Sequence, residues 1–161
     1  MQFIPESILD KTIAELEKGM DVYEAALVEF LQQQPAIGAY LLNEDFHSLT
    51  EGERDIMLYL TLIIYRSMAK IHIKIDEVSL DEIEAAEDAN WALLENVSSF
   101  NFQERLDVFF DGTTQEDILA LIEDAILEDE EMLTKEGREP IFIGVKSIVD
   151  VLDASIETND N

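Results

Sequence analysis

The stretch from Thr50 to Ile75 carries four of the ten basic residues of the chain. Arg66 and Lys70 lie one helical turn apart in it, and Lys74 follows a turn later. A cationic stripe of this kind either pairs with acidic neighbouring helices or receives an anionic ligand. Thr61, Tyr65 and His72 form a second polar stripe on the same segment, with Arg54 at its start. Glu87 falls inside the apolar arc of a later helix, and a buried carboxylate must be paired, bound or protonated. Its expected partners are Arg66, Lys70 and His72. Tyr65, Arg66, Lys70, His72 and Glu87 are therefore the candidate ligand-binding residues, lining a pocket beside the Thr50–Ile75 helix.

A second constellation is the acidic run Glu128, Asp129, Glu130 and Glu131. It stands near the C-terminal end of a helix, where negative charge opposes the helix dipole. It reads either as a solvated, frayed end or as a docking patch for a basic partner or a divalent cation. Glu84, Glu87 and Asp88 on one helix, and Asp124 and Glu128 on another, have spacings that could hold Mg²⁺, Ca²⁺ or Mn²⁺. In a chain with 37 acidic residues such spacings arise by chance. The expectation is no metal site and no cofactor.

Other chemistries are excluded by residue type. There is no Cys, so disulfides, thiolate zinc sites and thiol catalysis are ruled out. The two His, His47 and His72, are far apart in sequence, and the two Glu-x-x-His motifs of a four-helix carboxylate di-metal centre are not both present, since only Glu44 and His47 have that spacing. Neither a Gly-rich phosphate loop nor a nucleophile elbow is present. FFDGTTQED places Gly112 at the sixth position of a would-be calcium loop, but Phe109 and Ile118 then occupy ligand positions, so the motif fails. A non-enzymatic protein is expected.

The formal net charge is −27. Phosphate backbones and anionic membranes are bound by clustered Lys and Arg, so neither nucleic acid nor membrane is an expected partner. Arg105 is the sole positive charge from Asp76 to Thr134. An acidic surface built mainly from residues 76–95 and 111–131 would attract a basic protein. The leading expectation is an interaction or regulatory module, monomeric or homodimeric. The alternative is a small-ligand or divalent-metal-binding protein, or an enzyme, using the pocket beside the Thr50–Ile75 helix. The start MQFIPESILD lacks a basic region followed by an apolar core, so a cytoplasmic location is expected.

These residues must be positioned by helices. At 161 residues, 47 % hydrophobic, with six Gly and three Pro, the chain suits one all-α domain of about seven helices. Its centre is the apolar helix over residues 51–75, where Thr50 and Glu53 have capping-box spacing. Met57, Ile64, Met68, Ile71 and Ile75 share one face, and Leu62 lies almost opposite, so the helix is expected to be covered on several sides. Its uninterrupted apolar run, Ile56 to Tyr65, is half of the roughly 20 residues a membrane span needs. Helices are also expected over residues 6–18 and 21–33, with Asp21 as cap of the second, and in a short segment opened by Pro35. Further helices are expected at 79–97 with a Ser79/Glu82 box, after Asn101, over 113–133 capped by Thr113 or Thr114, and from Pro140. Residues 1–153 would form the domain and 154–161 a loose polar tail. KIHIKID is the only strand-like alternation, and it could end the central helix before Ile75.

Overall fold

The computed structural model of the protein describes residues 2–72, 74–128 and 131–159, the last three by backbone alone. These residues form eight α-helices and no strand: α1 Glu6–Leu16, α2 Met20–Gln33, α3 Pro35–Leu41, α4 Glu51–Ile71, α5 Leu80–Glu95, α6 Phe102–Gly112, α7 Glu116–Glu128 and α8 Lys135–Asn159. A 3-10 turn, Glu44–Phe46, leads into α4. None of the described helices is long and apolar enough to cross a membrane.

The bundle is organised around two helices, α4 and α8, which pack on each other. Leu60, Leu62, Ile63, Ile64 and Met68 of α4 are buried on nearly every side. In α8, Ile141, Phe142, Ile143, Val145, Ile148, Val149, Val151, Leu152 and Ile156 are buried as well. A helix apolar all round is stable only when fully covered. Around α8 the cover comes from α4, α5 and α7; α1 and α2 lie against α4. Gly144 lets the two central helices approach, because a Cβ there would collide with the Met57 methyl.

Local signals act where expected at several ends. The capping boxes Thr50/Glu53 and Ser79/Glu82 are both closed, and Asn101 Oδ1 accepts from the Glu104 N–H. Pro35 occupies the first position of α3.

Several helix boundaries differ from expectation. The central helix stops at Ile71, and His72 caps it in extended conformation, so the alternating segment does leave the helix. Gln34, fully buried on α2's C-cap, fixes the departing chain: its side chain donates to the Asp76 carbonyl at 2.9 Å and accepts from the Val78 N–H at 3.0 Å. Helix α2 starts one residue before Asp21, with Gly19 as its N-cap. Helix α7 starts at Glu116, later than a Thr113 or Thr114 cap would give; the Thr113 hydroxyl instead accepts from the Gln115 N–H at 3.0 Å.

The largest difference is α8. Residues 134–139 read as a linker before Pro140, yet the helix begins at Lys135 with Pro140 inside it. Thr134 supplies the start: its hydroxyl accepts from the Gly137 N–H at 3.0 Å. Proline six residues into the helix removes the bond to the Glu136 carbonyl, a loss tolerated close to an end. At the other end α8 continues through residues expected as tail, because Ile156 is buried in the core.

Candidate functional site

The five candidate ligand residues do not converge. Lys70 turns to α1, where its ammonium lies 2.6 Å from Glu15. That contact holds the Glu15 carboxyl below the ordinary glutamate range. Arg66 reaches α2 and pairs with Glu29 at 3.4 Å. The Tyr65 hydroxyl donates to Gln33 Oε1 at 2.9 Å, and burial pushes its phenol above the ordinary value. Thr61 and Ser67 are satisfied inside the bundle, through the Met57 carbonyl and the Thr12 hydroxyl. These polar groups knit helices together.

Tyr65, Arg66 and His72 do share a shallow cavity of about 420 Å³, closed by Glu29, Gln33 and Lys74. His72 Nε2 is buried there without a hydrogen-bond partner.

Glu87 is elsewhere. The expected pairing with Arg66, Lys70 or His72 is not made, because α5 packs on α3, α6 and α8. Its carboxyl, partly buried against Tyr40 and Trp91, is held above the ordinary glutamate range. Burial is the main cause. The Trp91 indole and the Tyr40 hydroxyl, turned toward it, pull the other way, and Asp45 and Asp88 raise it further. The Tyr40 hydroxyl is buried and completes no hydrogen bond to it.

Of the acidic run, Asp129 and Glu130 lie outside the described residues. Glu128 ends α7 and Glu131 stands in the following turn, both exposed. The wider acidic surface takes shape from the helix order. Helix α6 touches both α5 and α7, and α5 and α7 pack on α8, so the outer faces of the three helices run on from one another. Asp81, Glu84, Asp88 and Glu95 of α5, Glu104 and Asp107 of α6, and Glu116 and Asp124 of α7 are exposed on this belt. Every ion pair among the described residues involves Glu15, Glu29, Asp76, Glu139 or Asp150. No described carboxylate from Glu77 to Glu131 is neutralised in this way. Crowding shows at Glu123, whose carboxyl is raised by burial, lowered by a hydrogen bond from Gln103, and raised again by Asp124 and Asp107.

Two constellations were not foreseen from sequence. Asn90 is buried and donates to Ser147 Oγ and Asp150 Oδ2, both at 3.0 Å. Lys146 closes this network, 2.8 Å from Asp150 and 3.3 Å from Asn90 Oδ1, with its ammonium over the Phe109 ring. The second is a groove of about 610 Å³ between the start of α6 and the start of α8, lined by Phe100, Asn101, Phe102, Arg105, Lys135, Arg138 and Glu139. Arg105 lies thirty residues before Lys135 in sequence, so no local motif joined it to Lys135 and Arg138.

No family model matches the chain, and no curated protein or solved structure is significantly similar to it.

Proposed function

We propose that the protein is a non-enzymatic interaction module that binds a basic protein through the acidic belt of α5, α6 and α7. One observation carries this reading: carboxylates from Glu77 to Glu131 stand on adjoining helix faces without a single ion pair among the described residues. Packing like charges together destabilises the fold through self-repulsion. The arrangement is useful where a cationic surface neutralises it. The half-exposed Leu93 of α5 adds apolar area beside these acids. The separation of Lys70 and Glu87 from Tyr65, Arg66 and His72 weighs against a ligand pocket beside α4.

Association through such a belt is steered by long-range attraction, which raises on-rates by roughly tenfold to a thousandfold and fades with salt. The test is affinity purification of the tagged chain from its source at low and high salt. A stoichiometric basic partner, released as salt rises, is expected. An acidic partner, or one held equally at both salt concentrations, contradicts the reading.

A further inference from the structure

The geometry points to a binding site for small aromatic oxyanions, a flat ring joined to a phosphate or carboxylate group, in the groove between α6 and α8. This site is separate from the acidic belt function and does not depend on it.

Three of the ten cations of a chain with net charge −27 meet in this groove. They have different tasks. Arg105 is structural: its Nε donates to Glu139 at 2.7 Å, and its Nη1 donates to the Val97 and Ser99 carbonyls at 3.3 and 3.1 Å. Those bonds fix the loop that carries Phe100, and Glu139 cancels the Arg105 charge. Lys135 and Arg138 are in none of the ion pairs among the described residues. They leave two uncompensated positive charges lining the groove.

Arg138 is preorganised. Its guanidinium sits 5.9 Å over the Phe102 ring, which restricts its rotation. Its Nε is buried and has no hydrogen-bond partner. A buried guanidinium N–H without an acceptor is costly, and an oxyanion would satisfy it through the planar fork that arginine offers. An internal carboxylate could have taken that place in so acidic a chain, and none does.

The apolar half of the site is Phe100. Its side chain is 100 % exposed, the most exposed large hydrophobic residue of the described chain. Because Arg105 holds its backbone, the ring stands at the groove's edge as a stacking platform. A ring-bearing oxyanion matches both halves: the ring lies on Phe100, and the oxygens meet Arg138 and Lys135. A purely apolar ligand would leave the charges unmet, and inorganic phosphate would leave Phe100 in water.

The test is NMR titration of the ¹⁵N-labelled full chain, following the Arg138 Nε–H resonance. The probes are phenyl phosphate, benzoate, inorganic phosphate and phenol. Phenyl phosphate or benzoate should shift the resonance saturably and bind more tightly than inorganic phosphate or phenol. Which of the two binds better distinguishes a phosphate from a carboxylate ligand. Arg138→Gln and, independently, Phe100→Ala should each weaken binding about tenfold, while Lys18→Gln, on a different part of the chain, should not. Phe100→Ala removes a ring wholly in water, so its folding is safe. Absence of saturation with both ring-bearing oxyanions, equal binding of inorganic phosphate, or unchanged binding in the Phe100→Ala chain would overturn the proposal.

Discussion

Glu53 joins the starts of the two central helices by accepting hydrogen bonds from Thr134, 81 residues away in sequence. Its Oε2 receives the Thr134 N–H at 3.2 Å and the Thr134 hydroxyl at 3.0 Å, while Oε1 receives the Thr50 N–H at 2.9 Å. The residue is only 1 % exposed. Removing it leaves three donors without their acceptor at two helix ends. Glu53→Ala should therefore destabilise the fold by about 3 kcal/mol, the sum of a lost cap and charge-assisted bonds. Urea unfolding measures this, and a loss below about 1 kcal/mol would show that water replaces the carboxylate.

Gly137 belongs to the same relationship. A Cβ there would fall within the Glu53 carboxylate. In an open helix Gly→Ala stabilises by up to about 1 kcal/mol. Here Gly137→Ala should do the reverse, by about 1–3 kcal/mol, because Glu53 must abandon Thr134. A Gly137→Ala chain as stable as the parent in thermal unfolding would contradict the close approach.

The sequence showed half of this device. Thr50 and Glu53 stand three residues apart, a local spacing, and the capping box they imply is present. The Thr134 half depends on chain packing between distant segments, so Lys-Glu-Gly-Arg-Glu read as linker and α8 was expected to start at Pro140. The same division holds for the site residues. Burial of α4 follows from its periodicity, but Glu87 needed knowledge of which helices flank α5, and residue spacing on one helix does not contain it. Gln34, Gln115 and Asn90 illustrate the point further. Each is a buried amide that fixes a non-local segment; Gln115, for example, accepts from the Ile4 N–H at 3.0 Å and donates to Asp153. An isolated amide in a sequence carries no mark of that role.

Glu87 gives a pH prediction. Burial raises its carboxyl above the unfolded value, so the folded state binds the proton more tightly than the unfolded chain does. Its contribution is favourable while protonated and is lost as pH rises through the folded value. At about pH 7 the charged Glu87 is a net cost, and Glu87→Gln should raise Tm by about 2–4 °C. Near pH 4, around the ordinary glutamate value, the gain should shrink toward nothing. A gain that is equal at both pH values would place its origin outside ionisation.

The ion pairs should divide by exposure. Glu15 and Lys70 have side chains 38 % and 26 % exposed, so solvent screens them. Lys70→Met should cost only a few tenths of a kcal/mol. The lowered Glu15 carboxyl makes that small contribution present above the unfolded glutamate value and lost on acidification. Lys146 is 12 % exposed and serves Asn90 and Asp150 together. Lys146→Met should cost about 2 kcal/mol, since it leaves Asp150 without its ion pair and the Asn90 carbonyl without this donor. Denaturant unfolding of the two variants checks the order, and a larger loss for Lys70→Met would reverse it.

Self-repulsion in the belt predicts a salt response of the free protein. Screening at about 0.15 M salt already shortens the range of charge interactions to about 8 Å. Tm should therefore rise from low to moderate salt, and it should rise less in a Glu84→Gln, Asp124→Gln chain. A Tm that falls with added salt would mean that attractive pairs dominate the electrostatics.

The most direct test of the central claim is the association rate of the chain with its co-purified basic partner when the belt is reversed in charge. Glu84→Lys, Asp88→Lys and Asp124→Lys, combined, lie on exposed faces of α5 and α7 and leave the core untouched. The account predicts an association rate at least about tenfold slower at low salt, with the parent rate kept by a control that reverses Glu24 on α2 and Asp10 and Glu17 near α1. Equal slowing by the two triple variants would reduce the effect to net charge, and an unchanged rate in the belt variant would contradict the belt as the docking surface.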